Sequence, residues 1–113
     1  MARNMSFALT TNKIKDKSKT VTRRFGWYFL KVGDVLNAVE KSMGLKKGEK
    51  IKKLALIRVT NVRAEQLNKI TKADCVKEGF PNYEPEDFIE MLQDHYNGIK
   101  PDAEINRIEF EYI

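Results

Sequence analysis

The segment that most constrains the fold of this chain is its last. Ile108, Phe110 and Tyr112 alternate with Glu109 and Glu111, the period of a strand with one apolar and one polar face. The segment before it has a different period. Phe88, Met91, Leu92 and Tyr96 fall at i, i+3, i+4 and i+8, the apolar stripe of an amphipathic helix. Pro85 suits that helix's first turn, and Gly98 and Pro101 end it. A shorter helix precedes it, with Thr71 as N-cap, Asp74 three residues on, and Gly79 as a left-handed terminator after Glu78. The final strand therefore has to reach back past both helices for partners.

Those partners are legible upstream. Residues 54–62 are rich in Leu, Ile, Val and Thr. Residues 35–41 follow a turn at Val32, Gly33 and Asp34, and residues 42–48, with Gly44 and Gly48, read as a second turn. Residues 5–9 read either as a first strand or as the start of a helix. Terminal strands far apart in sequence commonly meet to close a small sheet. The expectation is an α+β fold: one domain over residues 1–113, on a small, mostly antiparallel β-barrel with two or three short flanking helices.

Composition narrows the chemistry. One Cys (Cys75) and one His (His95) exclude an internal disulfide and a Cys/His zinc cluster. Cys75 reads as a small core residue, and His95 as a residue on the helix flank with no assigned role. No metal or cofactor is expected. No apolar run approaches the roughly 20 residues of a membrane span, and no secretion signal is visible at the N-terminus, so a cytoplasmic setting is expected.

Charge is unevenly distributed. Residues 1–63 carry 16 Lys/Arg against 4 Asp/Glu, and residues 64–113 carry 5 against 12. The basic half points to an anionic partner. Lys13, Lys15, Lys17, Lys19, Arg23 and Arg24 lie in one stretch, whose polarity predicts an exposed surface. Lys41, Lys46, Lys47, Lys50, Lys52 and Lys53 form a second cluster, and its run from Lys46 to Lys53 reads as an exposed turn. Phosphate backbones attract such patches, and Trp27 and Tyr28 can stack on unpaired bases.

The segment Lys19-Thr20-Val21-Thr22-Arg23-Arg24, followed by Gly33-Asp34 and Glu78-Gly79-Phe80, resembles the ASCH domain, a relative of the PUA domain with a small β-barrel. The family signature is Gly-x-Lys-x-x-Glu-x-Arg. Lys19 and Arg24 stand at its Lys and Arg positions, Lys17 stands where Gly is expected, and Thr22 where Glu is expected. The resemblance implies a PUA-like barrel and a cleft beside this motif that binds RNA or another nucleic acid. It also implies an alternative. One bacterial ASCH branch hydrolyses N4-acylated cytidines such as N4-acetylcytidine, using a Lys, a Thr three residues later, and a Glu near the end of the first helix. Lys19, Thr22 and Glu78 match those positions. Small phage-encoded ASCH proteins also look like this chain.

Three functions follow as expectations. The first is a nucleic-acid-binding module, with RNA preferred, using Lys13, Lys15, Lys17, Arg23, Arg24, Trp27 and Tyr28. The second is an amidohydrolase with Lys19, Thr22 and Glu78 as its catalytic set. Thr22 then needs a neighbouring base, and Lys19 serves only if burial or nearby cations, Arg23 and Arg24 among them, lower its pKa. Arg24 can hold a phosphate or a carbonyl oxygen. The third is a non-catalytic phage or host-interaction protein that uses Glu86, Asp87 and Glu90 on the acidic helix. Glu78 also carries a local expectation. A carboxylate at a helix C-terminus is disfavoured by about 0.3–1 kcal/mol, so a cation such as Lys19 or Arg24 should meet it, as a structural ion pair or as part of a catalytic set. Phe80 and Pro81, with Tyr83, are expected at one lip of the cleft.

Overall fold

The computed structural model describes residues 3–41 and 47–113. The turn predicted over residues 42–48 falls largely outside them, Gly44 and Lys46 included. Five strands form one curled, mixed sheet: β1 (Arg3–Ser6), β2 (Val21–Arg24), β3 (Val35–Val39), β4 (Lys53–Gln66) and β5 (Glu104–Tyr112). Their order is β1-β3-β4-β5-β2. The β1/β3 pair is parallel and the other three are antiparallel. Three short helices accompany the sheet: α1 (Thr11–Lys15), α2 (Lys72–Lys77) and α3 (Pro85–His95). Residues 5–9 divide between both alternatives, since β1 ends at Ser6 and a 3₁₀ turn runs over Ala8–Thr10.

The terminal strands do not meet, which corrects the expected closure. β1 and β2 are the sheet edges, and β5 lies between β4 and β2. The sheet instead curls because β4 is long and bent. Its first part pairs with β3 and most of it pairs with β5, with a register shift between Val59 and Asn61. A bulge of that kind bends a strand and increases its twist. The two edges come close enough for one side-chain bridge: Arg24 on β2 donates from Nη2 to the Ser6 carbonyl of β1.

Two apolar clusters hold the fold. One gathers Met5, Phe7, Ile14, Leu36, Ile57, Ile108 and Phe110 against the sheet. The other gathers Leu67, Cys75, Phe88, Leu92 and Ile105 under α2 and α3. The predicted helix stripe is the buried one: Phe88 and Leu92 are core, and Met91 and Tyr96 pack beside them. The alternation predicted over Ile108–Tyr112 holds, and β5 extends further back than the prediction, through Ile105, Asn106 and Arg107, which are all buried. That part of β5 has strands on both sides and helices against it, so both faces are covered.

Two turns aim the chain into the cleft. After α1, Lys17 adopts a left-handed φ of 64°, and Asp16 Oδ1 accepts from Ser18 N at 2.9 Å and Ser18 Oγ at 2.6 Å. This is the position where the ASCH signature has Gly, and the backbone gives the reason, because a left-handed residue with a Cβ is strained by roughly 1–2 kcal/mol. Lys17→Gly is accordingly expected to stabilise the protein by about 0.5–1 kcal/mol after the unfolded-state entropy of glycine is counted. A melting temperature raised by a few degrees checks it, and an unchanged or lower one refutes it. The second turn ends α2. Gly79 N donates to Val76 O at 3.0 Å and Phe80 N to Cys75 O at 2.9 Å, a Schellman motif. Gly79 has φ +98°, and a Cβ there would lie 3.0 Å from Lys13 Cγ.

Candidate functional site

The stretch predicted to be an exposed basic surface is partly interior. Lys19, Thr22 and Arg23 are only 3%, 4% and 3% exposed. The error has a clear cause: charge density alone gives no sign of carboxylates arriving from distant sequence, and those are what make burial tolerable here. Lys13 is half-buried, and Lys15 and Lys17 are exposed as expected. The described lysines of the second stretch are exposed apart from the half-buried Lys41. Lys41 pairs with Glu49 at 3.6 Å and Lys52 with Glu40 at 3.8 Å.

Lys19 is anchored by the C-terminus of α2. Its Nζ lies 2.5 Å from the Glu78 carbonyl oxygen and 3.0 Å from Glu78 Oε1. Helix ends leave carbonyl groups unsatisfied, so one ammonium meets both a free carbonyl and the disfavoured carboxylate. Thr20 N adds a bond to Lys77 O at 2.8 Å. From the sheet side, the Tyr112 hydroxyl donates to the Lys19 carbonyl at 2.6 Å. Helix and sheet thus fix Lys19 from opposite directions.

Arg23 completes a buried ionic network that sequence reasoning missed. Its Nη1 reaches Glu78 Oε2 at 2.9 Å, and its Nη2 reaches Glu65 Oε2 at 2.8 Å and Asp74 Oδ2 at 2.6 Å. Arg107 Nη2 takes the other oxygen of Asp74 at 3.0 Å. The available signal was the burial of Arg107 on a central strand, which demands an acid. Burial alone would raise the pKa of Asp74, but the hydrogen bonds from Arg107 and Arg23 outweigh it and hold the carboxyl below its usual range. Among the described residues, Arg23 and Arg107 each keep an Nε without a hydrogen-bond partner.

Thr22 and Arg24, two apart on β2, share a strand face. Arg24 Nε donates to Thr22 Oγ1 at 3.2 Å. The Arg24 guanidinium also lies 4.7 Å from the centre of the Phe7 ring. Burial pushes the pKa of Lys19 down from its usual 10.5, opposed by Glu78 and assisted by Arg24 and Arg23. Among the described residues, Nζ makes hydrogen bonds only to Glu78. A neutral amine there keeps two N–H bonds on Glu78 and has its lone pair in another tetrahedral direction.

These side chains line one cleft of about 240 Å³. Lys19, Thr22, Arg23, Arg24 and Glu78 form its polar side, and Phe80, Phe88, Met91, Leu92 and Tyr96 its apolar side. His95, given no role from the sequence, also lines it. Trp27 and Tyr28 do not. Trp27 packs on the sheet core and lies 5.5 Å from Phe29, while Tyr28 is exposed. Phe80 is in the cleft wall, and Tyr83 stacks on it at 4.8 Å from outside. Glu86, Asp87 and Glu90 are exposed on α3. Among the described residues no cluster of His, Cys, Asp and Glu could hold a metal, and no helix is long and apolar enough to cross a membrane.

No family model matches the chain, and no curated protein matches it in sequence. Its fold does have relatives. The ASCH domain from Lactobacillus crispatus JV V101 superposes with a TM-score of 0.73 at 14% identity, over 97% of this chain and 78% of that one. A DUF984 protein from Enterococcus faecalis V583 gives 0.67 at 17% identity, over 99% and 79%. A further protein of known structure, described as hypothetical, gives 0.66 at 16% identity over the full length of both chains. The fold is therefore that of an ASCH-type domain, as the Lys19–Arg24 segment suggested.

Proposed function

We propose that this protein is a small amidohydrolase that removes the acyl group from an N4-acylated cytidine, using Lys19, Thr22 and Glu78. The observation that carries this is the buried Lys19–Glu78 contact at 3.0 Å on the wall of the cleft that Thr22 also lines. A lysine serving only as a surface charge has no reason to be desolvated, whereas a lysine base needs a lowered pKa. The apolar side, with Phe80, Phe88 and Tyr96, suits a flat heterocycle.

The chemistry balances with these groups alone. Thr22 Oγ adds to the acyl carbon while its proton passes to Lys19 Nζ. The C–N bond then breaks, and the departing N4 takes that proton back. An ester on Thr22 remains. Water adds to it, giving its proton to Lys19, and the carboxylic acid leaves as Thr22 regains its hydrogen. Glu78 holds the amine in place throughout, and Arg24 stabilises charge on the Thr22 oxygen through their hydrogen bond. Incubation with N4-acetylcytidine should release cytidine and acetate in equal amounts. Absence of release from folded protein refutes the proposal.

A second reading, single-stranded RNA binding, has its own observation. Tyr28 and Phe29 are 65% and 52% exposed, and Lys15 and Lys17 are exposed as well. About five phosphate contacts would give a log affinity against log salt slope near −3.5. A flat slope, or binding unaffected by charge reversal at Lys15 and Lys17, excludes it.

A further inference from the structure

The cleft has more positive charge than its own carboxylates neutralise. Lys19, Arg23 and Arg24 line it, with Glu78 as the lining acid. Lys19 is matched by Glu78, and Arg23 by Glu78, Glu65 and Asp74. Arg24 is different. Its hydrogen bonds among the described residues go to neutral oxygens, the Ser6 carbonyl and the Thr22 hydroxyl; it also lies over the Phe7 ring, and it feels Glu78 only through space, a carboxylate already bonded to Lys19 and Arg23. Two of its five N–H bonds are used in this way. A guanidinium out of bulk water with no carboxylate in direct contact is costly, and its planar fork suits a bidentate carboxylate or phosphate. The apolar wall of Phe88, Met91 and Leu92 lowers the local dielectric and strengthens any such pairing.

Position decides which part of a ligand the anion belongs to. Arg24 Nε is bonded to Thr22 Oγ1, the atom assigned to attack the acyl carbon. The free N–H bonds belong to the same guanidinium, so an acyl group held at Thr22 Oγ1 brings its far end within their reach. We propose that Arg24 is an anion-recognition residue in this cleft, and that the favoured acyl group carries its own carboxylate, as in the half-amide of a short dicarboxylic acid. The acyl-side assignment rests on the amidohydrolase reading, whereas the anion site itself does not.

Binding tests it without turnover. Succinate and its neutral counterpart succinamide are titrated into the full chain and followed by NMR, including the Arg24 Nε–H signal. Succinate is expected to bind at least tenfold more tightly and to shift that signal, and Arg24→Gln should abolish the preference. Equal affinity, or a preference that survives Arg24→Gln, overturns the proposal. Should Arg24→Gln not fold, the wild-type Arg24 signal decides alone: no shift with succinate refutes the site. A second arm compares cytidine 5′-monophosphate with cytidine. A phosphate preference there, with none for succinate, overturns the acyl-side placement. A succinate preference in protein that cleaves neither N4-acetylcytidine nor N4-succinylcytidine sinks the hydrolase reading and leaves the anion site standing.

Discussion

Glu78→Gln is expected to destabilise the protein by about 3–5 kcal/mol, the usual cost of removing one partner from a buried ionic contact. Gln keeps the size of the side chain, so packing is not what changes. What changes is the counter-charge for Lys19, at 3.0 Å from Oε1, and for Arg23, at 2.9 Å from Oε2. Arg23 retains Asp74 and Glu65, whereas Lys19 is left with neutral oxygens alone, the main-chain carbonyl of residue 78 and the new amide oxygen. The loss should therefore arise mainly through Lys19. Denaturant unfolding measures it, as a lowered midpoint with an unchanged slope. Lys19→Met in the Glu78→Gln background removes the orphaned ammonium and should recover a substantial part of the loss. If Glu78→Gln costs less than about 1 kcal/mol, the pair is solvated in solution and the buried network is not as described.

That network also marks how far the sequence could be read. The Glu78–Lys19 contact was reachable because it follows from local rules: a helix ends before Gly79, the carboxylate at that end is disfavoured, and a cation must come to it. Thr71, Gly79, Pro85 and the Phe88–Leu92 stripe are of the same kind, since capping and periodicity act over a few residues. Strand order was not reachable in this way. That β5 lies between β4 and β2 depends on a bend near Thr60, and no residue there announces a bulge. The partners of Arg23 come from α2 and from the far end of β4, so a stretch of lysines and arginines looked like surface when Lys19 and Arg23 within it are interior. Trp27 was misplaced for the opposite reason: an aromatic residue next to basic ones suggests a stacking platform, but Trp27 is needed by the sheet core, whereas its neighbour Tyr28 is exposed.

Catalysis that uses Lys19 as its base must depend on pH. Only the neutral amine can accept a proton from Thr22, so kcat/KM for N4-acetylcytidine should rise with pH and then level off. Burial lowers the pKa of Lys19 below 10.5, so the midpoint of that rise should fall below the value of a free lysine. The same shift has a sign for stability. The unfolded chain binds the Lys19 proton more strongly than the folded one, so stability gains as pH rises from the folded pKa toward 10.5. Lys19→Arg separates the base from the ion pair: it keeps a cation for Glu78 but cannot deprotonate in this range. It should lose about 10²–10⁴-fold in kcat/KM and flatten the profile while the folded state survives. Thr22→Val, nearly the same shape without the hydroxyl, should lose at least as much. A rise in rate that persists unchanged in Lys19→Arg would assign the titration to another group. His95, which also lines the cleft, is then the residue to substitute.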